Sequence, residues 1–380
     1  MGKEIGDQKE RGNGMIPEES VDQRSEKGRH FRFSEFFSPN NPRGTLVLLG
    51  IVTLVILFVG WFYLAHTEPI PPKPKLDFPV TTEPTDLLHF VFTDLKESGG
   101  LDITAGQDNE FYVAYPDRVT CYRIDEKGFD EIQVTKEWDF PTSAPPTSIH
   151  YVRSCASSLW GKIFIAYPDR VEWVDSLLRE NGATPFFPLG EGSKISGIVS
   201  DEKSIFFADI GKKIVDQVEF TGKLVREIGA PDPERRFDGF QLKDSPFFAL
   251  DIYPGTNILY VTNPGLFRVE AFSTLTGEWL PVESWENSPE KREGFSGDYN
   301  PAAIISIANQ SFLTVERGSN PRIKNIDAIG DVIADLSDSL DLEPLPEGEI
   351  YRLAIVTSSA TEQNRLLVLF PSGRLACFTP

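Results

Sequence analysis

The longest uncharged apolar stretch of the chain covers residues 44–65. At about 1.5 Å per residue, a helix of this length spans roughly 33 Å, which matches the hydrocarbon core of a bilayer. Trp61, Phe62 and Tyr63 lie at its C-terminal end, where aromatic side chains favour the membrane interface. The pattern therefore predicts a single transmembrane helix, an uncleaved signal anchor that makes the lipid bilayer a partner of the chain.

The regions on the two sides of this span differ in composition. Residues 1–43 are polar and charge-balanced, which is typical of a largely disordered tail, and residues 66–84 are rich in proline, which favours an extended linker. Basic residues are more numerous before the span than after it: Lys27, Arg29, Arg32 and Arg43 against Lys73 and Lys75. This bias predicts a single-pass protein of the cell inner membrane, with a cytoplasmic N-terminus and its remaining residues on the exported, periplasmic side.

The exported part contains internal repeats. Residues 111–122 and 163–174 share the sequence Ala-Tyr-Pro-Asp-Arg-Val, which joins an apolar strand to a second, alternating strand through a proline-containing turn. This is the pattern of a β-hairpin. Weaker copies of the same template cover residues 205–220, 259–272, 312–326 and 366–378.

A further short apolar segment precedes most of these hairpins, at residues 101–105, 195–199, 248–252, 302–307 and 353–356. Some hairpins are also followed by one more segment, so each unit has up to four strands. Four-stranded units repeated at roughly 40–55 residues predict an all-β fold, a six-bladed β-propeller over residues 85–380. Immunoglobulin-like sandwiches would also give short alternating strands, but a repeat that continues through all six units favours the propeller.

The last unit ends directly after its third strand. We predict that residues 87–93, which precede the first complete unit, supply its fourth strand. This pairing would join the two ends of the domain and remove an exposed sheet edge.

The chain is acidic, with a formal net charge of −20, and the whole excess lies after residue 65. An acidic surface repels phosphate, so no nucleic-acid partner is expected, although the charge can also serve solubility alone. Neither the cysteines nor the histidines have metal-ligand spacing, and the cysteines allow at most one disulfide. They are Cys121, Cys155, Cys377, His30, His66, His89 and His150. We therefore expect no metal and no cofactor.

At residues 263–272 and 314–324 the chain resembles NHL-repeat β-propellers, in which an apolar strand and a polar turn are followed by Arg-Val or Arg-Ile. More narrowly, residues 237–330 resemble membrane-anchored bacterial proteins of that superfamily. Where those relatives are expected to carry a Cys-Cys pair, this chain has Asp298-Tyr299. A redox or metal role of such cysteines therefore cannot be transferred to this chain.

Candidate ligand-binding residues lie on the repeat turns, because propellers present their functional groups on the loops at the two ends of the channel. They are Asn263, Arg268, Glu270, Asn300, Glu316, Arg317, Arg322 and Lys324. We expect Asn300, Glu316 and Arg322 to lie together at one channel mouth. The alternative is that such pairs only fasten hairpins, as Glu316 and Arg322 would do across two strands.

The predicted function is a non-catalytic binding or scaffold module for a protein or a small ligand at a propeller face. The alternative is a propeller enzyme of the lactonase or lyase type, a class that the resemblance suggests, with an oxygen-ligand metal site. Glu316, Asn300 and Asn263 would be its ligands. The sequence contains no phosphate-binding glycine loop and no nucleophile elbow, which favours the non-enzymatic function.

Overall fold

The computed structural model describes residues 90–126, 132–153, 160–178, 189–242, 247–253, 255–290, 294–295, 300–307, 311–346, 349–358 and 363–378. All of them belong to the second of two compact units, Ile70–Pro380. The predicted tail, membrane span and linker lie outside the described residues, as do Cys155 and Asp298-Tyr299. No helix in the described part of the chain is long and apolar enough to cross a membrane.

The described strands form six antiparallel sheets, which are the blades of a β-propeller. Blade 1 contains β2 (Asp102–Ala105), β3 (Glu110–Ala114), β4 (Arg118–Glu126) and β5 (Ile132–Pro141). Blade 2 contains β6 (Ser148–Tyr151), β7 (Lys162–Ala166) and β8 (Val171–Asp175). Blade 3 contains β9 (Ile195–Ser200), β10 (Ser204–Asp209), β11 (Ile214–Glu219) and β12 (Leu224–Ile228).

The other blades have the same order. Blade 4 contains β13 (Leu250–Tyr253), β14 (Ile258–Asn263), β15 (Arg268–Ser273) and β16 (Trp285–Glu286). Blade 5 contains β17 (Ala303–Ile307), β18 (Ser311–Glu316), β19 (Arg322–Ile326) and β20 (Val332–Asp335). Blade 6 contains β21 (Arg352–Thr357), β22 (Asn364–Leu369) and β23 (Arg374–Phe378), with β1 (Val91–Asp94) as its outer strand.

The N-terminal strand closes the ring, as the sequence predicts. β1 pairs antiparallel with β23, with Val91 opposite Cys377 and Asp94 opposite Arg374. The described part of the predicted closing segment is therefore confirmed, while residues 87–89 lie outside the described residues. Closure covers an edge of the last blade that would otherwise present unpaired backbone groups.

The turn shared by the first two blades explains their common sequence. In blade 1 the Tyr115 N–H donates to the carbonyl of Arg118 at 2.7 Å, and in blade 2 the Tyr167 N–H donates to the carbonyl of Arg170 at 2.8 Å. Each guanidinium also lies over the ring of the tyrosine in its own turn, at 4.7 Å and 4.3 Å from the centroid. The residues that the two repeats share therefore form the same turn in both blades.

Second strands are buried on both faces, because each blade packs between two neighbours. In β3 the four consecutive residues 111–114 are all buried, and β10 is buried over its full length. Apolar clusters join adjacent blades; Tyr112 of blade 1, for example, stacks on Tyr151 of blade 2 at 5.5 Å between ring centroids. Such strands appear in the sequence as continuous apolar runs, whereas the outer strand β5 keeps several exposed positions.

The first strands form the inner ring of the propeller. β2, β6, β9, β13, β17 and β21 contact one another in this order, and β21 contacts β2. Because all blades repeat the same antiparallel order, these strands run in the same direction around the axis. They therefore surround the central channel, and blade 1 lies opposite blade 4.

Candidate functional site

The structure places the eight predicted site residues in two groups, at the ends of blades 4 and 5 where the second strand turns into the third. The blade 4 group consists of Asn263, Arg268 and Glu270, and the blade 5 group of Asn300, Glu316, Arg317, Arg322 and Lys324. Both groups contain fully buried polar side chains, so the role of each side chain follows from the groups that it contacts.

The blade 4 group fastens a connecting segment to the hairpin. The buried Asn263 accepts the N–H of Gln241 on Oδ1 at 2.8 Å, and its Nδ2 donates to Glu270 Oε1 at 3.2 Å. Glu270 accepts the indole N–H of Trp279 on Oε2 at 2.9 Å, and Arg268 Nε lies 3.5 Å from Oε1. These contacts tie the segment before β13 to the turn that follows β14.

The Asn-Pro-Gly sequence of this turn has a steric cause. The Gly265 N–H donates to the Gln241 carbonyl at 2.8 Å, inside a short 3-10 helix (Pro264–Leu266). A Cβ at Gly265 would lie 2.1 Å from that carbonyl oxygen. Only glycine allows the two backbones to approach so closely.

The blade 5 group is built around a buried ion pair. Lys324 Nζ lies 2.5 Å from Glu316 Oε1, and both side chains are fully buried. At this distance the buried ammonium and carboxylate form an ion pair. Arg322 Nη2 lies 3.4 Å from Glu316 Oε2, and both cations donate to the carbonyl of Gly294 at 3.1 Å.

Burial lowers the pKa of Lys324, while the neighbouring Glu316 carboxylate opposes this shift. The cluster thus holds the segment at Gly294 against the β18–β19 hairpin. Asn300 binds the same hairpin, since its Oδ1 accepts the Arg317 N–H at 2.9 Å and its Nδ2 donates to the Arg317 carbonyl at 3.2 Å.

Asn300, Glu316 and Arg322 therefore lie at the same end of blade 5. Their oxygens and nitrogens contact other atoms of the same chain. These contacts are explained if the three residues only fasten hairpins, the alternative given above. Direct contact of the eight residues with a ligand stays a prediction.

A second polar cluster, which the sequence did not reveal, lies in the central channel. Strand register shows which residues of different blades lie at the same height along the channel. In four blades, one first-strand residue pairs with the fourth residue of the hairpin template: Asp102, Gly197, Ala303 and Arg352. Three positions further along each strand lie Ala105, Ser200, Ser306 and Ile355. These four positions share one level of the channel, and each provides a partner for a titratable side chain.

The first of these side chains is Arg153, which follows β6. Its Nε donates to the carbonyl of Ala105 at 3.3 Å, and its Nη2 donates to the carbonyl of Ile355 at 2.8 Å. The guanidinium therefore lies beside blades 1 and 6. Arg153 is exposed to solvent as a residue, although burial still lowers the pKa of its guanidinium.

The other two side chains come from β6 and β13. His150 Nε2 and Ser200 Oγ are 2.8 Å apart, between blades 2 and 3. Asp251 accepts the N–H of Ser306 on Oδ2 at 2.5 Å, between blades 4 and 5. Since blade 1 lies opposite blade 4, the Asp251 carboxylate and the Arg153 guanidinium face each other across the channel.

Burial sets the charge state of this cluster. It lowers the pKa of His150 to about 3, with the positive charge of Arg153 adding to the effect. It raises the pKa of Asp251 to about 6, while the hydrogen bonds from Ser306 and the charge of Arg153 oppose the rise. At pH 7 the cluster therefore holds one guanidinium, one carboxylate that is mostly ionised and one neutral imidazole.

The described residues contain no group of three or more His, Cys, Asp or Glu side chains that could hold a metal ion. The sequence signal for the channel cluster is a lone charge inside an apolar first-strand segment, as at Asp251 between Leu250 and Ile252. This signal is weak, because nothing in the linear pattern indicates which isolated charges reach the axis.

No family model matches the chain, and no curated protein matches it significantly. Among solved structures, a catalytically inactive virginiamycin B lyase from Staphylococcus aureus with quinupristin is 14% identical, with a TM-score of 0.43, over 76% of this chain and 88% of that chain. A streptogramin B lyase is 15% identical, with a TM-score of 0.45, over 77% and 97%. Hydrazine synthase from Kuenenia stuttgartiensis is 16% identical, with a TM-score of 0.38, over 59% and 55%. These likenesses are too distant to bear on function or on individual residues.

Proposed function

We propose that this chain is a membrane-anchored, NHL-like propeller that binds a small ligand in its central channel without altering it covalently. Residues 44–65 would hold it in the inner membrane, with the N-terminus in the cytoplasm and the propeller on the exported side. The apolar length of that span and the distribution of basic residues around it support this topology.

The channel cluster is the observation that carries the proposal. Arg153, His150 and Asp251 come from two different blades and reach one level of the channel through contacts with four further strands. Polar groups that converge from several strands on one region are typical of a small-molecule site. Charges that served only solubility would lie on the outer surface.

The eight turn residues fit this function as supports. By fastening Gly294 and Gln241 to the hairpins, they order the connecting segments at the ends of blades 4 and 5. The oxygen-ligand metal site is the weaker proposal, because Glu316, Asn300 and Asn263 lie in two separate groups and their oxygens already contact protein atoms.

A thermal-shift screen of the full chain in mild detergent tests the proposal. We expect at least one compound of a small-molecule library to raise the Tm of the wild type. The same compound should stabilise Arg236→Met, a control at an exposed arginine between blades 3 and 4, but not Arg153→Met. At a ligand concentration of 100 times Kd, binding stabilises the fold by about 2.7 kcal/mol, which such a screen detects.

Three results would count against the proposal. The first is the absence of any ligand whose effect depends on Arg153. The second is conversion of the bound compound, detected by mass spectrometry, or stoichiometric divalent metal in the purified protein, either of which favours the enzyme. The third concerns the anchor: a reporter fused after Pro380 should be active only on the exported side, and cytoplasmic activity would reverse the topology.

A further inference from the structure

We infer that the channel site takes a small zwitterion, a molecule that carries one carboxylate and one protonated amine, such as a free amino acid or a short peptide. This inference rests on the proposed function, since it names the ligand class of the same site. Its basis is two opposite charges that face each other across one level of the channel and have no ion-pair partner among the described residues.

Arg153 provides the carboxylate side. It anchors to the carbonyls of Ala105 and Ile355, which fix its orientation but carry no net charge. In the described part of the chain, no carboxylate lies within ion-pair distance of its guanidinium. A guanidinium has five N–H donors in a planar fork, so the two anchoring bonds leave donors that match a carboxylate.

Asp251 provides the amine side. One of its oxygens accepts the Ser306 N–H, and no lysine or arginine of the described ranges lies within ion-pair distance of its carboxylate. Its raised pKa of about 6 has burial as its main cause and still leaves it mostly ionised at neutral pH. A protonated amine in the channel would add a direct ion pair to the more distant charge of Arg153.

The geometry excludes the simpler ligand classes. A plain anion beside Arg153 would face the Asp251 carboxylate across the channel, and a plain cation beside Asp251 would face the guanidinium. In either case a ligand with a single charge would meet a like charge across the channel, which is unfavourable. A zwitterion compensates both charges, and the neutral His150 with Ser200 adds hydrogen-bonding groups without net charge.

Isothermal titration of the full chain in mild detergent at pH 7.5 tests the inference. The probes are the α-amino acids and a set of dipeptides. Each is compared with its N-acetyl derivative, which keeps only the carboxylate, and with its C-terminal amide, which keeps only the ammonium. We expect at least one zwitterion to bind and both of its derivatives to bind about tenfold or more weakly, as the loss of a charged hydrogen bond implies.

Two variants assign the binding to the channel. Arg153→Met and Asp251→Asn should each weaken binding of the zwitterion by about tenfold or more, while Arg236→Met should not. If a zwitterion bound equally well to both channel variants, or if its derivatives bound as tightly, the inference would be wrong. The derivative series uses wild-type protein, so it decides the question even if a variant fails to fold.

The two proposals can fail separately. If the library screen finds an Arg153-dependent ligand that is uncharged or has a single charge, the channel function stands and the zwitterion inference falls. If no compound and no amino acid or dipeptide binds, both are overturned.

Discussion

The buried ion pair of blade 5 gives the sharpest test of whether the turn residues are structural. Lys324 lies 2.5 Å from Glu316, and both side chains are fully buried, so removing either partner leaves a buried charge with less compensation. Breaking a buried pair typically costs about 3–5 kcal/mol. Arg322 remains 3.4 Å from the carboxylate, so we expect Lys324→Met to cost about 3 kcal/mol, the lower end of this range.

The double variant separates the charge from the packing. In Glu316→Leu combined with Lys324→Met, both charges are replaced by apolar side chains of similar length, and Arg322 still donates to the Gly294 carbonyl. We expect the double variant to lie within about 1 kcal/mol of the wild type, because apolar replacement of a buried pair is often neutral. The double-mutant cycle should therefore show a large coupling energy.

Urea unfolding of the full chain in detergent, followed by tryptophan fluorescence, measures these differences. Lys223→Met, at an exposed lysine, is the control and should change stability by about 0.5 kcal/mol at most. The fastening role would be refuted if Lys324→Met were as stable as the control. If ligand binding were lost in that stable variant, the cluster would become part of the binding site.

Three further predictions concern other parts of the chain. A chain that starts at Ser98 lacks β1 and should melt well below one that starts at Leu76, because β23 loses its partner; equal Tm values would refute the closing role of β1. Burial raises the pKa of Asp216 to about 6, so ionising it costs stability as the pH rises from about 4 to about 6. Asp216→Asn should therefore be more stable than the wild type at pH 8, by ~1–3 kcal/mol, and similar at pH 4, as urea unfolding at the two pH values would show. Zwitterion binding needs ionised Asp251, so calorimetric affinity should fall about tenfold per pH unit below pH 6, and Asp251→Asn should show no such dependence.

The propeller could be predicted from the sequence because its evidence is local and repeated. The shared motif of residues 111–122 and 163–174 contains a complete hairpin with its turn, so each copy specifies the same structure. Five of the six first strands were predicted within about two residues of their observed bounds, as for residues 101–105 against Asp102–Ala105, whereas β6 was not predicted. Outer strands were harder, since they pack against one neighbour only and range from two residues in β16 to ten in β5.

The sequence identified the turn residues but not the groups that they contact. Asn263 binds Gln241, which lies 22 positions earlier, and Lys324 binds Gly294, which lies 30 positions earlier. Both partners belong to connecting segments, which do not follow the repeat and have no recognisable pattern. The sequence motif therefore located the hairpin ends, but it did not show that the side chains there bind other segments of the same chain.

The channel cluster could not be predicted for a different reason, which also bears on its role. Arg153 and Asp251 belong to blades 2 and 4, and only closure of the ring brings them to one channel. Folding alone does not require them, because apolar side chains would line the same positions without the cost of enclosing a charge. Within the described residues neither has an ion-pair partner, whereas the buried Lys324 and Glu316 of blade 5 are paired with each other. A charge that stabilises the fold is expected to be compensated by the fold, so charges left for an external partner indicate where a ligand binds.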